Sequence, residues 1–363
     1  MQDNKVIVIG GDHHNMLGVI RSVGRTGRKP DAIIFTSDRH PYVAKSRYIG
    51  HVYLISEPSA LIPLLSEICS GEELKPVVIC CHDALAAVID DNREQLSKRM
   101  IIPCGDKNAR LSEMMDKEFM NKLALEAGLI IPQSDAFPCI IKPRKSMTGN
   151  KDWIQICKDE KELNACCEEY GKDNLLIQKY IDAIAEYQLI GCSLPDGNVI
   201  IPGASSILRP CKGSNTSFLR YSGPDTVVDA AKVKDFVLST GYHGLFSVEF
   251  LRDSDGTDYF LEINFRNDGN AICVTKAGIN LPLIWILGTT RRDYSGEAGK
   301  KIKTIHVMPE FEELSLLFSH TISPAGFISD LLKTRAGMEF DFRDQRPFWY
   351  QLKRRILKKA SAS

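Results

Sequence analysis

One segment constrains this chain more than any other: Phe246-Ser-Val-Glu-Phe-Leu-Arg-Asp-Ser-Asp-Gly-Thr-Asp-Tyr-Phe-Leu-Glu-Ile-Asn-Phe-Arg266. Two apolar runs flank Asp255-Gly256, a dipeptide that favours the positive φ values of a tight hairpin turn. With Asp255-Gly256 at the turn centre, Glu249 lies directly opposite Glu262, and Ser247 lies opposite Asn264. Glu262, Asn264 and Arg266 are two apart, so their side chains share one strand face. Like charges facing each other on a ladder are destabilising, and a divalent cation between them removes that penalty. Two carboxylates and an amide oxygen are hard ligands, suited to Mg²⁺ bridging to phosphates. Arg266 sits where it reaches a phosphate. A solvated hairpin with outward acids is the plain alternative; the apolar neighbours and the single acidic face favour the metal site.

Upstream, the pattern is that of an α/β protein. Lys5-Val-Ile-Val-Ile9 is a continuous β-branched run, the mark of a strand buried on both faces. Gly10-Gly11-Asp12 follows, then a helix from Asn15 to about Gly24. Strands at 32–36 and 76–81 alternate with helices at 59–69 and 84–96, which predicts a doubly wound parallel sheet over residues 1–105. The texture then changes. A helix over 116–128, short strands at 139–142, 175–180, 187–192 and 199–205, and helices at 160–170 and 225–240 read as an α+β region over 106–305. Pro195-Asp196-Gly197-Asn198 joins two of those strands as a hairpin. Residues from about 135 to 182 read as a subdomain of that region, and residues 306–363 as a helical extension.

Composition excludes several classes. The 363 residues carry 46 Lys plus Arg and 46 Asp plus Glu, a net charge of zero, against a general nucleic-acid binder. The 11 cysteines are an odd number without a CxxC pair or zinc spacing, so they read as buried thiols of a reducing, cytoplasmic compartment. The N-terminus lacks the basic and apolar regions of a signal peptide. No apolar run approaches the length of about 20 residues that spans a membrane. Partners are therefore expected to be small molecules, with no nucleic acid and no transmembrane segment; a homodimer is the expected assembly.

Two lysines stand out. Lys117 begins a helix in Met115-Asp116-Lys117, and Lys142 ends an apolar strand in Ile140-Ile141-Lys142-Pro143. A lysine there is unusual unless its ammonium meets an anion. The basic loop at 144–150, with one glycine, could fold over phosphates, although a plain surface loop is the more frequent explanation of such a run. It lacks P-loop spacing. Next, Gln178-Lys179-Tyr180-Ile181 runs into a second strand with Glu186 at its start. Such a hinge offers backbone groups to an adenine edge and a carboxylate to ribose, or is simply structural.

In that order, Asp-Lys before a helix, a strand ending Lys-Pro, a basic glycine loop, a Gln-Lys-Tyr-Ile hinge with a following Glu, and Glu249 thirteen positions before Glu262-x-Asn-x-Arg266 resemble the ATP-grasp superfamily. The resemblance covers about residues 1–290. Leu17-Gly-Val-Ile-Arg-Ser-Val-Gly24 and Ser46-Arg47-Tyr48 look like its carbamoyl-phosphate-synthase-like or D-aspartate-ligase-like carboxylate–amine ligases. The resemblance implies an N-terminal α/β doubly wound domain, an α+β ATP-grasp domain of two subdomains and a mainly helical tail. It implies ATP held by Lys117, Lys142, Gln178, Lys179, Ile181 and Glu186, with Lys179 and Ile181 acting through backbone groups. It implies one or two Mg²⁺, or Mn²⁺, on Glu249, Glu262 and Asn264, with Arg266 as the catalytic group on the transferring phosphoryl. Position 178 is commonly Glu in the family, and the 144–150 loop is glycine-poor for it. The implied activity joins a carboxylate to an amine through an acyl phosphate. The alternatives are a grasp enzyme that only phosphorylates or uses a non-amine acceptor, and a non-catalytic nucleotide-binding regulator.

The acceptor side is less specified. Arg209 and Arg220 flank a polar loop, and either fits a substrate carboxylate. His243 reads as a general base or a turn histidine. Gly11, His13 and Asn15 follow the first strand, where α/β sheets place ligands. The C-terminal stretch Phe348-Trp-Tyr-Gln-Leu-Lys-Arg-Arg-Ile-Leu-Lys-Lys359 reads as an exposed helix solvated by its charges; a membrane-surface helix is the alternative.

Overall fold

The computed structural model describes residues 3–106, 110–133, 136–144, 154–209, 218–223 and 228–360. The chain opens with four parallel strands: β1 (Val6–Gly11), β2 (Asp31–Phe35), β3 (Val52–Ile55) and β4 (Val77–Cys80). Their order is β3-β2-β1-β4. Alternate residues of β1 point to opposite faces: Val6 and Val8 join one apolar cluster, Ile7 and Ile9 another. The chain leaves β1 toward β2 on one side and returns to β4 on the other. That makes the crevice above β1 and β4 a topological switch point, the usual place for ligands in open α/β sheets. Close approach there requires glycine, since a Cβ on Gly10 would fall 2.9 Å from that of Cys81. Strand β3 was not legible in the sequence, because it is short and lies at the sheet edge with Val52 and Leu54 exposed.

A small antiparallel sheet follows, β5 (Cys139–Pro143), β6 (Gln155–Cys157) and β7 (Leu175–Lys179), in the order β6-β5-β7. The helix Glu160–Tyr170 covers it, started by Asp159, whose carboxylate accepts from the Glu162 N–H. Its core is the apolar cluster of Cys139, Ile141, Cys157 and Cys166.

The large sheet contains β8 (Ala185–Ser193), β9 (Val199–Ile200), β10 (Ala204–Ile207), β11 (Leu219–Ser222), β12 (Gly244–Arg252), β13 (Asp258–Asn264), β14 (Ile305–Met308) and β15 (Thr334–Gly337). Its order is β13-β12-β8-β10-β11-β14-β15, with β9 paired to β8. The single strand expected at 199–205 is split into β9 and β10. Pro202 donates no ladder hydrogen bond, and at Gly203 a Cβ would come 2.1 Å from the Ser222 carbonyl oxygen. The helix expected from 225 begins at Ala230, where the Asp229 side chain caps it.

The segment after 305 is not a bare helical extension. Helices Glu310–Phe318, Pro324–Lys333 and Arg346–Ala360 dominate it, but β14 pairs antiparallel with β11, and β15 adds to β14 in parallel. Both strands have four residues, and Thr334-Arg-Ala-Gly337 lacks the β-branched apolar signature of a strand.

The helix His14–Gly24 is buried along its whole length. Against it lie helices Ile272–Ala277 and Leu281–Thr289. Among the described residues no single helix is long and apolar enough to cross a membrane. The bent pair Gly269–Ala277 and Leu281–Thr289, at 89°, has that composition because it is core: Cys273, Val274, Ile284 and Ile286 are fully buried. The described cysteines are free thiols.

Candidate functional site

At the site, β12 and β13 pair in the expected register, Glu249 opposite Glu262 and Ser247 opposite Asn264. The turn differs from the expected one. The Asp253 N–H donates to the Thr257 carbonyl, and the Asp253 carboxylate accepts from the N–H groups of Asp255 and Thr257, so 253–257 form a longer loop. Beside that loop Arg252 faces Asp258, one step off the two-residue-turn register. A bulge between Glu249 and Phe250, with Leu261 as the extra residue, restores the register beyond it.

Glu249 is buried and held in place. Gln188, its ladder partner on β8, donates from Nε2 to Glu249 Oε1 at 2.9 Å, and Asn264 Nδ2 donates to the same oxygen at 3.0 Å. Gln188 Oε1 accepts from Asn270 Nδ2 at 2.7 Å. Asn264 Oδ1 accepts from Arg266 Nη2 at 3.1 Å. Arg266 Nε lies 2.9 Å from Asp83 Oδ1, and its Nη1 lies 3.3 Å from Asp268 Oδ2. Burial opposes the charge on Arg266, but Asp83, Asp268 and Glu249 outweigh it and keep the guanidinium firmly protonated. Arg266 therefore braces the site as well as facing it.

Gln188, Glu249, Arg266, Asp268 and Asn270 line a cavity of about 230 Å³ together with Gly11, His13 and Asn15 after β1 and Cys81, His82 and Asp83 after β4. His13 caps its helix: its Nδ1 accepts the Asn15 N–H at 3.3 Å. Burial, then His14 and Arg266, push its pKa down to about 3, so the ring is neutral at pH 7 with its proton on Nε2. Asn15 and Asn267 exchange hydrogen bonds that tie the first sheet to the Arg266 segment, at 2.8 Å and 2.6 Å.

The small sheet brings a lysine within electrostatic reach of Glu262 and Glu249. Lys142 is buried, with 7% of its surface exposed. Among the described residues it makes no hydrogen bond or ion pair. Burial pushes its ammonium down to about 8; the attraction of Glu262 and Glu249 resists this, and the nearby Lys117 adds to it. Lys117 reaches the same place from its helix start, donating from Nζ to the Pro143 carbonyl at 3.3 Å. Asp116 caps that helix by accepting from the Glu118 N–H at 3.0 Å. Gln178 stands opposite Ile140 on the ladder, two residues from Lys142, so both side chains share one sheet face. Its Nε2 is buried without a hydrogen-bond acceptor among the described residues. Ile181 is buried, and its N–H makes no hydrogen bond among the described residues. Glu186 is half-buried; burial, then Glu262, raise its pKa.

Four expected contributors are not brought in as expected. The Lys179 side chain is exposed and its N–H donates to the Gln133 carbonyl, so of its backbone groups only the carbonyl is left for the hinge role. Arg209 pairs with Glu313 and Asp330, a structural clasp between β10 and the C-terminal helices. Arg220 aligns with Ser206 and Tyr187, whereas Gln188 and Glu249 align with Ser205, which puts Arg220 on the opposite sheet face. His243 precedes β12 and bridges Cys104 through its backbone; six residues of strand place it about 20 Å from Glu249. Of the basic loop only Arg144 is described, paired with Asp116 and Glu118; 145–150 and the polar loop 210–217 lie outside the described residues.

Sequence reasoning missed Gln188, Asp83, Asp268 and Asn270. Gln188 carried a signal, a lone amide two residues after Glu186 in an apolar strand. Asp268 and Asn270 follow Arg266 directly in a polar run. Asp83 enters only through the fold.

Among the described residues no group of three or more His, Cys, Asp and Glu side chains is placed to hold a metal ion. Glu249, Glu262 and the Asn264 amide still fit Mg²⁺, which keeps few protein ligands and completes its octahedron with phosphate oxygens and water.

No family model matches the chain. It is similar to D-alanine–D-alanine ligase of Campylobacter jejuni, 32% identical over 151 residues, covering 36% of this chain and 40% of that protein. It is also similar to the 2-oxoglutarate carboxylase small subunit of Hydrogenobacter thermophilus, 29% identical over 191 residues, covering 45% of this chain and 38% of that one. These matches thus span about two fifths of the relatives' length. Among solved structures, the L-amino acid ligase from Bacillus licheniformis superposes with a TM-score of 0.63 at 15% identity, over 84% of this chain and 80% of that one. The biotin carboxylase domain dimer of the Hydrogenobacter 2-oxoglutarate carboxylase, in complex with MgADP, ADP and bicarbonate, gives 0.61 at 18% identity, over 84% and 71%. Over more than four fifths of its length, therefore, the chain shares the fold of these two enzymes.

Proposed function

We propose that the protein is an ATP- and Mg²⁺-dependent ligase that activates a carboxylate as an acyl phosphate and passes it to an amine. One observation carries this reading: the buried ammonium of Lys142, without a partner among the described residues, lies within electrostatic reach of the opposed carboxylates Glu249 and Glu262. The charges form an incomplete set that a metal–triphosphate completes.

Lys142 and Lys117 hold the phosphates, while Gln178 Nε2 and the Ile181 N–H take the nucleobase and Glu186 the ribose. Glu249, Glu262 and Asn264 hold one or two Mg²⁺, or Mn²⁺, which when bound neutralises triphosphate oxygens. The substrate carboxylate attacks the γ-phosphorus and ADP leaves. Arg266, fixed by Asp83 and Asp268, meets the charge spreading over the transferring phosphoryl, so the protein's work is positioning and electrostatics. The amine then attacks the acyl carbonyl and phosphate leaves. The small sheet closing over the cleft excludes water that would hydrolyse the acyl phosphate. Gly11, His13 and Asn15 contact the substrates, and neutral His13 acts as a hydrogen-bond donor through Nε2. A homodimer is part of this reading, supported by the dimeric neighbour; a cytoplasmic location is supported by the free thiols.

A second reading, with bicarbonate as the carboxylate, is favoured by the likeness to the Hydrogenobacter carboxylase subunit. Release of ADP and phosphate from ATP and Mg²⁺, measured across a matrix of carboxylates, bicarbonate and amines, tests both. The ligase reading requires release that depends on carboxylate and amine together. Release with carboxylate alone means phosphorylation only, and release with no member of the matrix contradicts the assignment.

A further inference from the structure

We propose that the C-terminal helix Arg346–Ala360 is a docking surface for an anionic lipid bilayer. Its sequence, RPFWYQLKRRILKKA, has six Lys and Arg and no acid, in a chain whose net charge is zero. One face of the helix is fixed to the protein. Phe348 stacks on Phe311 at 5.2 Å, and Lys45 lies 4.8 Å over the Tyr350 ring. Arg354 pairs with Asp38.

The other face is apolar and open. Trp349 is 53% exposed, Ile356 60% and Leu357 57%. With Leu352 and Lys353 they line a shallow groove, at helical spacings of three and four that put them on one side. Phe342, 83% exposed, continues the patch, since it and Trp349 both contact Phe340. A soluble surface helix puts its apolar stripe inward. This one carries an inward aromatic face and a second, outward apolar row interleaved with cations. An indole flanked by Leu, Ile and Lys353 on a helix whose sequence holds six cations and no acid is the pattern of a helix lying in the headgroup region of a negatively charged membrane. The charge is what selects the occupant: a second copy would bring the same six cations against these.

Flotation of the full chain with vesicles tests this. The protein should float with vesicles of phosphatidylcholine and phosphatidylglycerol, float poorly with phosphatidylcholine alone, and be released by salt. Trp349→Glu with Ile356→Glu should abolish flotation with an unchanged melting temperature, and Lys353→Glu should lower partition at least roughly fivefold. Brominated lipid should quench indole emission in the wild type and spare the Trp349→Phe protein, a readout that does not depend on the glutamate variant folding. Absence of flotation, flotation that survives the double substitution, or a dimer in solution that the double substitution dissociates would each overturn the proposal.

Discussion

Two clusters of buried charge in this molecule are built on opposite rules. At the junction of the first sheet with the C-terminal segment, the buried charges of Arg21 and Asp344 meet each other. Arg21, 1% exposed, gives Nε to Asp344 at 3.0 Å, Nη2 to the Asp344 carbonyl at 2.8 Å and Nη1 to the Met338 carbonyl at 3.3 Å. Asp344 also accepts from Ser46 Oγ at 2.8 Å and the Arg47 N–H at 2.9 Å. In the cleft, Lys142 has no partner within reach among the described residues, and Glu249 faces Glu262. Buried charges cost free energy unless paired. A closed set is explained by the fold alone, whereas an open set calls for a ligand.

The difference is sharpened most by breaking the closed set. Arg21→Ala leaves Asp344 buried and uncompensated and should destabilise the protein by about 3–5 kcal/mol in denaturant titration. A nucleotide affinity per folded molecule that stays unchanged would separate this role from the cleft.

The same junction predicts acid sensitivity. Burial pushes the Asp341 carboxyl up, but the hydrogen bond and charge of Lys276, the Arg343 N–H and Arg25 outweigh it and bring its pKa down to about 2. A depressed folded value contributes stability above the ordinary value near 4 that is lost as the pH falls toward 2. The contribution is about 2 kcal/mol. Asp341→Asn should remove that part of the slope in melts recorded between pH 5 and 2.

The smallest effect on stability belongs to the cleft. Glu262→Gln removes one of two facing carboxylates, so stability should hold or rise by up to ~1 kcal/mol, while Mg²⁺-dependent ADP release collapses. Destabilisation with activity retained would place Glu262 in the closed class.

The contrast also shows what the sequence could carry. Local patterns were legible: the both-faces-buried β1, the helix starting at Asp116-Lys117, and Glu249 opposite Glu262. The last held although the turn and the Leu261 bulge each departed from the simple hairpin, because the two offsets cancel. Edge strands β3 and β15 were not legible, since exposed or polar residues erase the period-two pattern. Nor was pairing between distant segments. Nothing near Arg209 announces Glu313 and Asp330, and nothing near Arg266 announces Asp83. An arginine's role depends on who meets it, which is a property of the fold.

The central claim is that Lys142 is held ready for a phosphate rather than for the fold, and calorimetric titration of Lys142→Met with a non-hydrolysable ATP analogue tests it most directly. A charge-assisted hydrogen bond is worth about 1.5–3 kcal/mol, so the dissociation constant should rise about ten- to a hundredfold. The same variant should melt no lower than the wild type, because it removes a desolvated ammonium. In the wild type without metal, affinity should fall as the pH rises above about 8, where the free protein's Lys142 loses its proton. Unchanged affinity together with a lower melting temperature would contradict the account and make Lys142 a structural cation.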